Sequence, residues 1–453
     1  MKRPLAVLAL SLCALPSLAA STSPALHQTL YRNVTLIDGT GGAPRAGVDI
    51  LVSGERIAQV APHGSLQTGK AVPWQVVDLG GRFVIPGLID SHVHIATPPD
   101  MRQARAVLRR NLYGGVTAVR DMADDVRAVA ELAREARFAE IASPDIHYAA
   151  LLAGPSFFAD PRVADASRGF MPGTAPWMQS ITEATDLPSA IAVARGTAAA
   201  GIKVYADLPG PLVSAIAEQA HRQKLQVWAH SAVFPASPLE VIESGADSVS
   251  HVCYLGFQRH ERMPATYAER AVVDETLFTA WPDSVLDGLF NAMKARGTVL
   301  DATGSVFVLH DRARRTKPAL RRLRCSESFV TEATRQAWRT GVQIATGTDR
   351  TGNASHQWPE VHEEMFFLAT EVGMPILEVI RSATLVGAIA AGREADMGTV
   401  EAGKLANFVV LAKSPLDSIA NVRSVVMTVK RGAIYRRDAY QVVTPQEIPD
   451  DGQ

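Results

Sequence analysis

Cysteine is scarce in this chain, with three among 453 residues. Cys13 lies in the N-terminal apolar stretch behind Leu12, where a lipid-modified cysteine would need a small residue before it. That leaves Cys253 and Cys325, too few for a disulfide framework, and they are read as two unpaired thiols. Neither sign of charge is in excess. The 45 basic and 46 acidic residues leave a formal charge of −1, which removes any general pull toward nucleic acid or an anionic membrane. No Gly-x-Ser-x-Gly occurs, which excludes the usual serine-hydrolase elbow. The glycine-rich Gly39–Gly42 stretch has no following Gly-Lys-Ser/Thr, so it reads as a turn rather than a phosphate loop. Beyond the N-terminus no apolar run approaches the ~20 residues of a membrane-spanning helix.

What is present begins at the N-terminus. Met1-Lys2-Arg3 is followed by an almost wholly apolar Pro4–Leu18 and by small residues at Ser17, Ala19 and Ala20. This is the pattern of a cleaved export signal over residues 1–20, and it predicts a secreted or periplasmic protein with no stable membrane insertion after cleavage. A hydrophobic content of 47% supports a sizeable core. The length fits one large domain with a smaller accessory one.

Residues 29–80 read as short strands with turns at 38–42 and 53–56. From about residue 82 apolar runs alternate with Ala-, Arg- and Glu-rich helical stretches. The expected strands are 84–95, 116–122, 145–153, 202–208, 226–231, 248–255, 298–307 and 343–349. The expected helices include 101–113, 125–139, 182–200, 211–223, 236–244, 284–296 and 326–340. Eight strands with helical crossovers predict an α/β fold closed as a (β/α)8 TIM-like barrel. Strand texture returns after residue 393, with Lys430-Arg431-Gly432 as a hairpin turn. The predicted organisation is therefore a signal over 1–20, a barrel over 82–392, and a composite β-sandwich built from 27–81 and 393–443. The polar tail from Thr444 is expected to be loose.

Chemistry-bearing residues gather at the ends of the expected strands. Asp90, His92 and His94 alternate on the first strand and so share one face. Two such histidines can hold one metal ion, and Asp90 is placed to orient an imidazole from behind. Alone the pair is weak evidence, since 12 histidines in 453 residues give about 0.3 such pairs by chance. Its company strengthens it. Lys203 sits among apolar residues on the fourth strand, where an ammonium ion is costly. His230, His251 and Asp349 end the fifth, sixth and eighth strands. The C-terminal ends of barrel strands are where this fold builds active sites.

Together, Pro86-Gly-Leu-Ile-Asp-Ser-His-Val-His94, Ile202-Lys203, His230, His251, Gly347-Thr-Asp349 and the return segment Gly398–Leu411 resemble the amidohydrolase superfamily. The branch they resemble is the imidazolonepropionase-like and Xaa-Pro-dipeptidase-like one, over about residues 30–435. The resemblance implies two divalent metal ions, expected to be Zn²⁺. His92, His94 and Asp349 would bind the more buried ion, and His230 and His251 the second. Lys203, carboxylated on its amine, would bridge the two. It also implies that Asp349 relays a proton from the attacking hydroxide to the leaving nitrogen. Asn407 stands where the superfamily usually has Asp, far from this chemistry. The Gly-Gly-His segment common in the prolidase-like branch is absent, since the chain reads Leu152-Ala-Gly-Pro-Ser-Phe-Phe-Ala-Asp-Pro161. The branch's substrate is therefore not carried over.

The expected activity is hydrolysis of an amide-type C–N bond in a small molecule, either dipeptide-like or a cyclic amide. A mononuclear, deaminase-like or isomerising enzyme is the alternative, and a non-catalytic binding descendant a more distant one. Tyr205 shares the face of Lys203 and is the candidate substrate contact. The basic segment 311–324 reads as a solvated surface, with an anion-binding lid as the competing reading. His356 follows the eighth strand without a clear role. The expected partner is a small-molecule substrate and not nucleic acid; the sequence leaves a homo-oligomer open.

Overall fold

The computed structural model describes residues 28–66, 74–321 and 323–448; the expected export signal lies outside them. Five strands come first: β1 Gln28–Leu36, β2 Arg45–Ser53, β3 Arg56–Pro62, β4 Trp74–Asp78 and β5 Phe83–Pro86. Barrel strands follow as β6 Leu88–Val93, β7 Val116–Asp121 and β8 Asp145–Ala153, with the short β9 Thr174–Ala175 and β10 Met178–Ser180 attached to β8. They continue as β11 Gly201–Val204, β12 Gln226–His230, β13 Ser248–Ser250, β14 Val299–Asp301 and β15 Ile344–Ala345. The chain returns through β16 Phe408–Leu411, β17 Val425–Lys430 and β18 Ala433–Arg436.

The β6, β7, β8, β11, β12, β13, β14 and β15 strands pair in parallel in that order. Ser91 N–H donates to Thr346 O at 2.7 Å and nearly closes the ring. This is a (β/α)8 TIM-like barrel. The remaining eight strands form one sheet in the order β18-β17-β16-β5-β1-β2-β3, with β4 on β1. It draws strands from both ends of the chain because β5 and β16 pair antiparallel, Val84 opposite Val410. Its own core includes Tyr31, Ile50, Phe408 and Val429, with the Tyr31 and Phe408 rings edge-to-face at 4.9 Å.

Local chemistry explains the barrel's elements. The Val126–Arg137 helix buries Val126, Val129, Leu132 and Ala136 at helical spacing and begins at Asp125, whose carboxylate accepts from Arg127 N–H. Ser237 and Glu240 form a capping box ahead of Pro238–Glu243. At the β5–β6 junction Gly87 is required by close approach: a Cβ there would lie 2.1 Å from Thr117 Oγ1. That junction divides the expected strand 84–95. Its first part joins the sheet and only Leu88–Val93 enters the barrel.

Other expectations change as well: strand 248–255 ends at Ser250 and a 3-10 helix, Val252–Arg259, follows, while strand 343–349 is reduced to Ile344–Ala345. Strand 298–307 ends at Asp301, and a helix, Gly304–Thr316, takes over. Thr303, just before the helix, is left-handed (φ 48°), and the helix N-terminus is capped by Glu364, which accepts from Gly304 and Ser305 N–H. Cys253 and Cys325 form a disulfide, because the fold brings their Cα atoms to 5.7 Å despite 72 residues of separation. The tail is docked as far as Ile448: Val443 and Ile448 pack against Ala106 and Val107, and Glu447 pairs with Arg109. No helix among the described residues is long and apolar enough to cross a membrane.

A buried cluster fastens barrel to sheet. Asp145 on β8 pairs with Lys430 Nζ at 3.0 Å and Arg431 Nε at 2.9 Å, and Arg431 continues to Glu55. Burial alone would raise the Asp145 carboxyl, but Lys430 and Arg431 outweigh it and hold it below its ordinary value. Asp145→Ala strands Lys430, only 3% exposed, and should cost about 3–5 kcal/mol in denaturant unfolding. The ion-pair contribution is present above the unfolded carboxyl's pKa of about 3.9 and is lost as pH falls through the lower folded value. The gap between wild type and variant should therefore narrow below about pH 4.

Candidate metal centre

His92 and His94 leave β6 beside Asp349, which follows β15. One ligand atom from each lies within 4.8 Å of the others, with Asp349 Oδ1 at 3.7 Å from His92 Nε2 and 3.6 Å from His94 Nε2. His251 and His230 extend this group. Ring centroids are 4.8 Å apart from His92 to His251 and 4.7 Å from His251 to His230. Two of these residues occupy strained backbone, His251 at φ 74° and Asp349 at φ 51°, both at strand exits. Non-glycine residues held at positive φ at strand ends are a mark of a site whose surroundings over-determine its geometry.

The rings share one further property. His92 Nδ1 meets Asp301 Oδ2 at 2.7 Å, and His94 Nδ1 meets Asp124 Oδ1 at 2.9 Å. His251 Nδ1 meets Thr303 Oγ1 at 2.8 Å, and His230 Nδ1 meets Ala232 O at 3.1 Å. Among the described residues no Nε2 of the four has a hydrogen-bond partner. Each ring is thus fixed from behind with one nitrogen left to ligate, the arrangement that metal-binding histidines adopt. Burial pushes His92, His230 and His251 well below the ordinary histidine value, with Lys203 adding to the effect, so these three are neutral and ligand-ready. Burial opposes charge on His94 too, but Asp124 and Asp349 prevail and raise it.

Lys203 lies beneath the cavity floor, 1% exposed, its Nζ 3.5 Å from Ser250 Oγ. Burial lowers it to about 7, with Asp301 and Asp349 opposing and Arg120 assisting. A near-neutral amine of this kind has a substantial unprotonated fraction at physiological pH. His92, His94 and Asp349 fit one divalent ion, and His230, His251 and Lys203, if carboxylated, are the donors a second ion would need.

The second tier of residues differs from the sequence-based expectation. Asp90 does not orient an imidazole. It accepts from Thr348 Oγ1 at 2.8 Å and from the His92 backbone N–H, tying β6 to the Asp349 loop. The orienting carboxylates are Asp301 and Asp124, neither singled out in the sequence. Asp301 also accepts from Ser250 Oγ and from fully buried Arg120. Burial raises its carboxyl to about 6 against the pull of Arg120 and Lys203.

Above the cluster opens a cavity of about 310 Å³, sized for a small molecule rather than a folded polypeptide. Tyr205 lines it, stacked on Phe157 at 4.5 Å, with its hydroxyl 3.4 Å from that of Tyr267. Tyr254, missed in the sequence, lies 4.5 Å from the His230 ring. The basic segment 311–324 divides. Arg312 and Arg315 pair with Glu327 at the surface, while Arg321 and Arg324 line the cavity. His356 lies outside this cavity, bonded to Glu360 in a neighbouring one.

Solved structures share the fold. A Xaa-Pro dipeptidase with bound methionine in its active site superposes with a TM-score of 0.71 at 20% identity, over 90% of this chain and 100% of that one. The A. niger ochratoxinase gives 0.70 at 20% identity, covering 94% and 99%. Among curated proteins, adenine deaminase of Rubrobacter xylanophilus is 37% identical over 101 residues. That match covers 22% of this chain and 16% of the deaminase. The exoenzymes regulatory protein AepA of Pectobacterium carotovorum is 35% identical over 81 residues, 18% of this chain and 17% of that protein. The aligned part thus spans about a sixth of the length of these curated relatives. The model of the Amidohydrolase family matches residues 83–435, from the last strand before the barrel to the end of the return sheet, and the chain belongs to that family.

Proposed function

We propose that this chain is an exported hydrolase that cleaves an amide-type C–N bond of a small molecule, dipeptide-like or a cyclic amide. In this reading it works with two divalent ions, zinc being the expected pair, and Lys203 carboxylated between them. The supporting observation is the set of four histidines held by their Nδ1 atoms, with the Nε2 atoms of His92 and His94 beside Asp349. When bound, the ions would supply Lewis acidity toward the carbonyl and lower the pKa of a water molecule. The chain's own groups do the rest. Asp349, against both β6 histidines, is placed to take the water's proton and hand it to the leaving nitrogen, so that one C–O bond forms as one C–N bond breaks. Tyr205, Tyr254 and Tyr267 present hydroxyls and aromatic faces that can orient a substrate over the cluster.

A panel of N-acyl amino acids, dipeptides, lactams and lactones, assayed with added Zn²⁺, tests this reading. Amide or lactam hydrolysis lost on chelation and restored by metal is the expected result. Fewer than one tightly bound metal per purified chain would sink the dinuclear mechanism. Local identity to adenine deaminases favours a second reading, hydrolytic removal of an exocyclic amine. Ammonia release from adenine by the same preparation would select it.

A further inference from the structure

The cavity has two electrostatically different halves. Its floor carries the histidines and Asp349, with Asp124 engaged by His94. Its outer wall carries Arg162, Arg321 and Arg324. Among the described residues the only carboxylate paired with these three is Asp160, which accepts two hydrogen bonds from the Arg162 guanidinium. Among the described residues neither Arg321 nor Arg324 forms an ion pair, although surface arginines elsewhere in this chain repeatedly find one. Arg324 is half-buried, and its Nε is buried without a hydrogen-bond partner. Burial, then Arg270 and Arg321, push its guanidinium below its ordinary value, the sign of an uncompensated positive field.

This wall is built rather than incidental. Arg324 O accepts from Val273 N–H at 3.0 Å, and Arg321 O is bonded to His310 Nε2 at 2.6 Å. Cys325, next to Arg324, is disulfide-bonded to Cys253, two residues beyond His251. The next residue of that turn, Tyr254, has its ring 4.5 Å from that of His230. The guanidinium is therefore fastened, through a covalent bridge, to the element that carries one of the metal-site histidines. Two free forks on the wall of a small-molecule cavity match the planar geometry of a carboxylate, which accepts paired N–H donors.

We propose that Arg321 and Arg324 form an anion subsite and that the substrate carries a carboxylate which docks there while its scissile bond lies over the histidines. The inference rests on the amide-hydrolase reading and adds to it the charge of the substrate and the residues that select it. The subsite binds ground state and transition state alike, so its loss raises KM more than it lowers kcat.

The test compares N-acyl amino acids with their neutral carboxamides, using the metal-loaded full chain and the Arg321→Gln, Arg324→Gln double variant. Wild type should prefer the acid, and the double variant should lose about 10- to 100-fold of that preference, mostly through KM. An Arg321→Lys, Arg324→Lys variant, which keeps charge but not the fork, should recover part of it. A wild type indifferent to the carboxylate, or a double variant with an unaltered ratio, overturns the subsite. If no member of either series is hydrolysed, the amide reading fails instead. Calorimetric binding of N-acetyl-L-phenylalanine against its carboxamide then decides the subsite alone: acid-selective binding lost in the double variant sustains it, and equal binding of the two probes overturns it.

Discussion

Lys203→Ala should lower amide hydrolysis by about a thousandfold or more, and short carboxylic acids should restore part of what is lost. The argument starts from an expensive placement. A lysine 1% exposed on β11 has no ion pair within 4 Å among the described residues and only a distant contact with Ser250 Oγ. Burying an ammonium there is costly, and the group responds by dropping to about 7. The unprotonated amine can attack CO₂: a bond forms from Nζ to carbon, a proton leaves, and the product is an anion with two oxygens. The rings of His92, His230 and His251 are neutral, so without that anion Asp349 would be the main negative group to balance the two divalent cations proposed. Formate, acetate or propionate entering the space vacated in the Ala variant should supply the missing charge. Lys203→Met, which fills the space, should be equally inactive and resist rescue. Metal content of both variants should fall below that of wild type. Wild-type turnover in Lys203→Ala would remove the bridging role.

The parts of this site legible in the sequence are those governed by local rules. Alternation on a strand puts His92 and His94 on one face, and a polar residue ending an apolar run marks His230, His251 and Asp349 as strand exits. These positions needed no knowledge of which strand neighbours which. Partners across the barrel were not legible, because they depend on closure. Asp301 is 209 residues from His92 and looked like an ordinary member of the expected strand 298–307. The same blindness hid the helix at Gly304–Thr316. Val299-Leu300 and Val306-Phe307-Val308 are both strand-like runs, and the composition of the intervening residues 301–305 does not reveal that a left-handed Thr303 opens a helix there. Arg321 and Arg324 read as solvated surface because charge counting cannot tell an arginine facing Glu327 from one facing a cavity. The disulfide was missed for a related reason: with two cysteines, only the fold says whether they meet.

Asp301 is also the residue whose removal should be felt at once by the fold and by the metal. Its Oδ2 takes His92 Nδ1 at 2.7 Å, Ser250 Oγ at 3.0 Å and Arg120 Nη2 at 3.4 Å, all buried. Arg120 is the acute dependent. It is 0% exposed and packs 4.8 Å from the Trp228 ring. Its remaining partners, Ser91 O, Ser248 Oγ and Ala390 O, are neutral acceptors. Asp301→Ala leaves that guanidinium without its carboxylate and should destabilise the metal-free protein by about 3–5 kcal/mol. It also frees the His92 ring to rotate, which should weaken metal binding by about 10- to 100-fold. Asp301→Asn separates the two effects. An amide oxygen can still accept from His92 Nδ1, so metal affinity should lie closer to wild type, while the lost charge keeps much of the destabilisation. Denaturant unfolding of the apo forms and competition of a chelator for metal measure the two quantities independently. An Asp301→Ala variant with wild-type metal affinity would show that His92 is held by packing alone, and the orienting role of Asp301 would have to be given up.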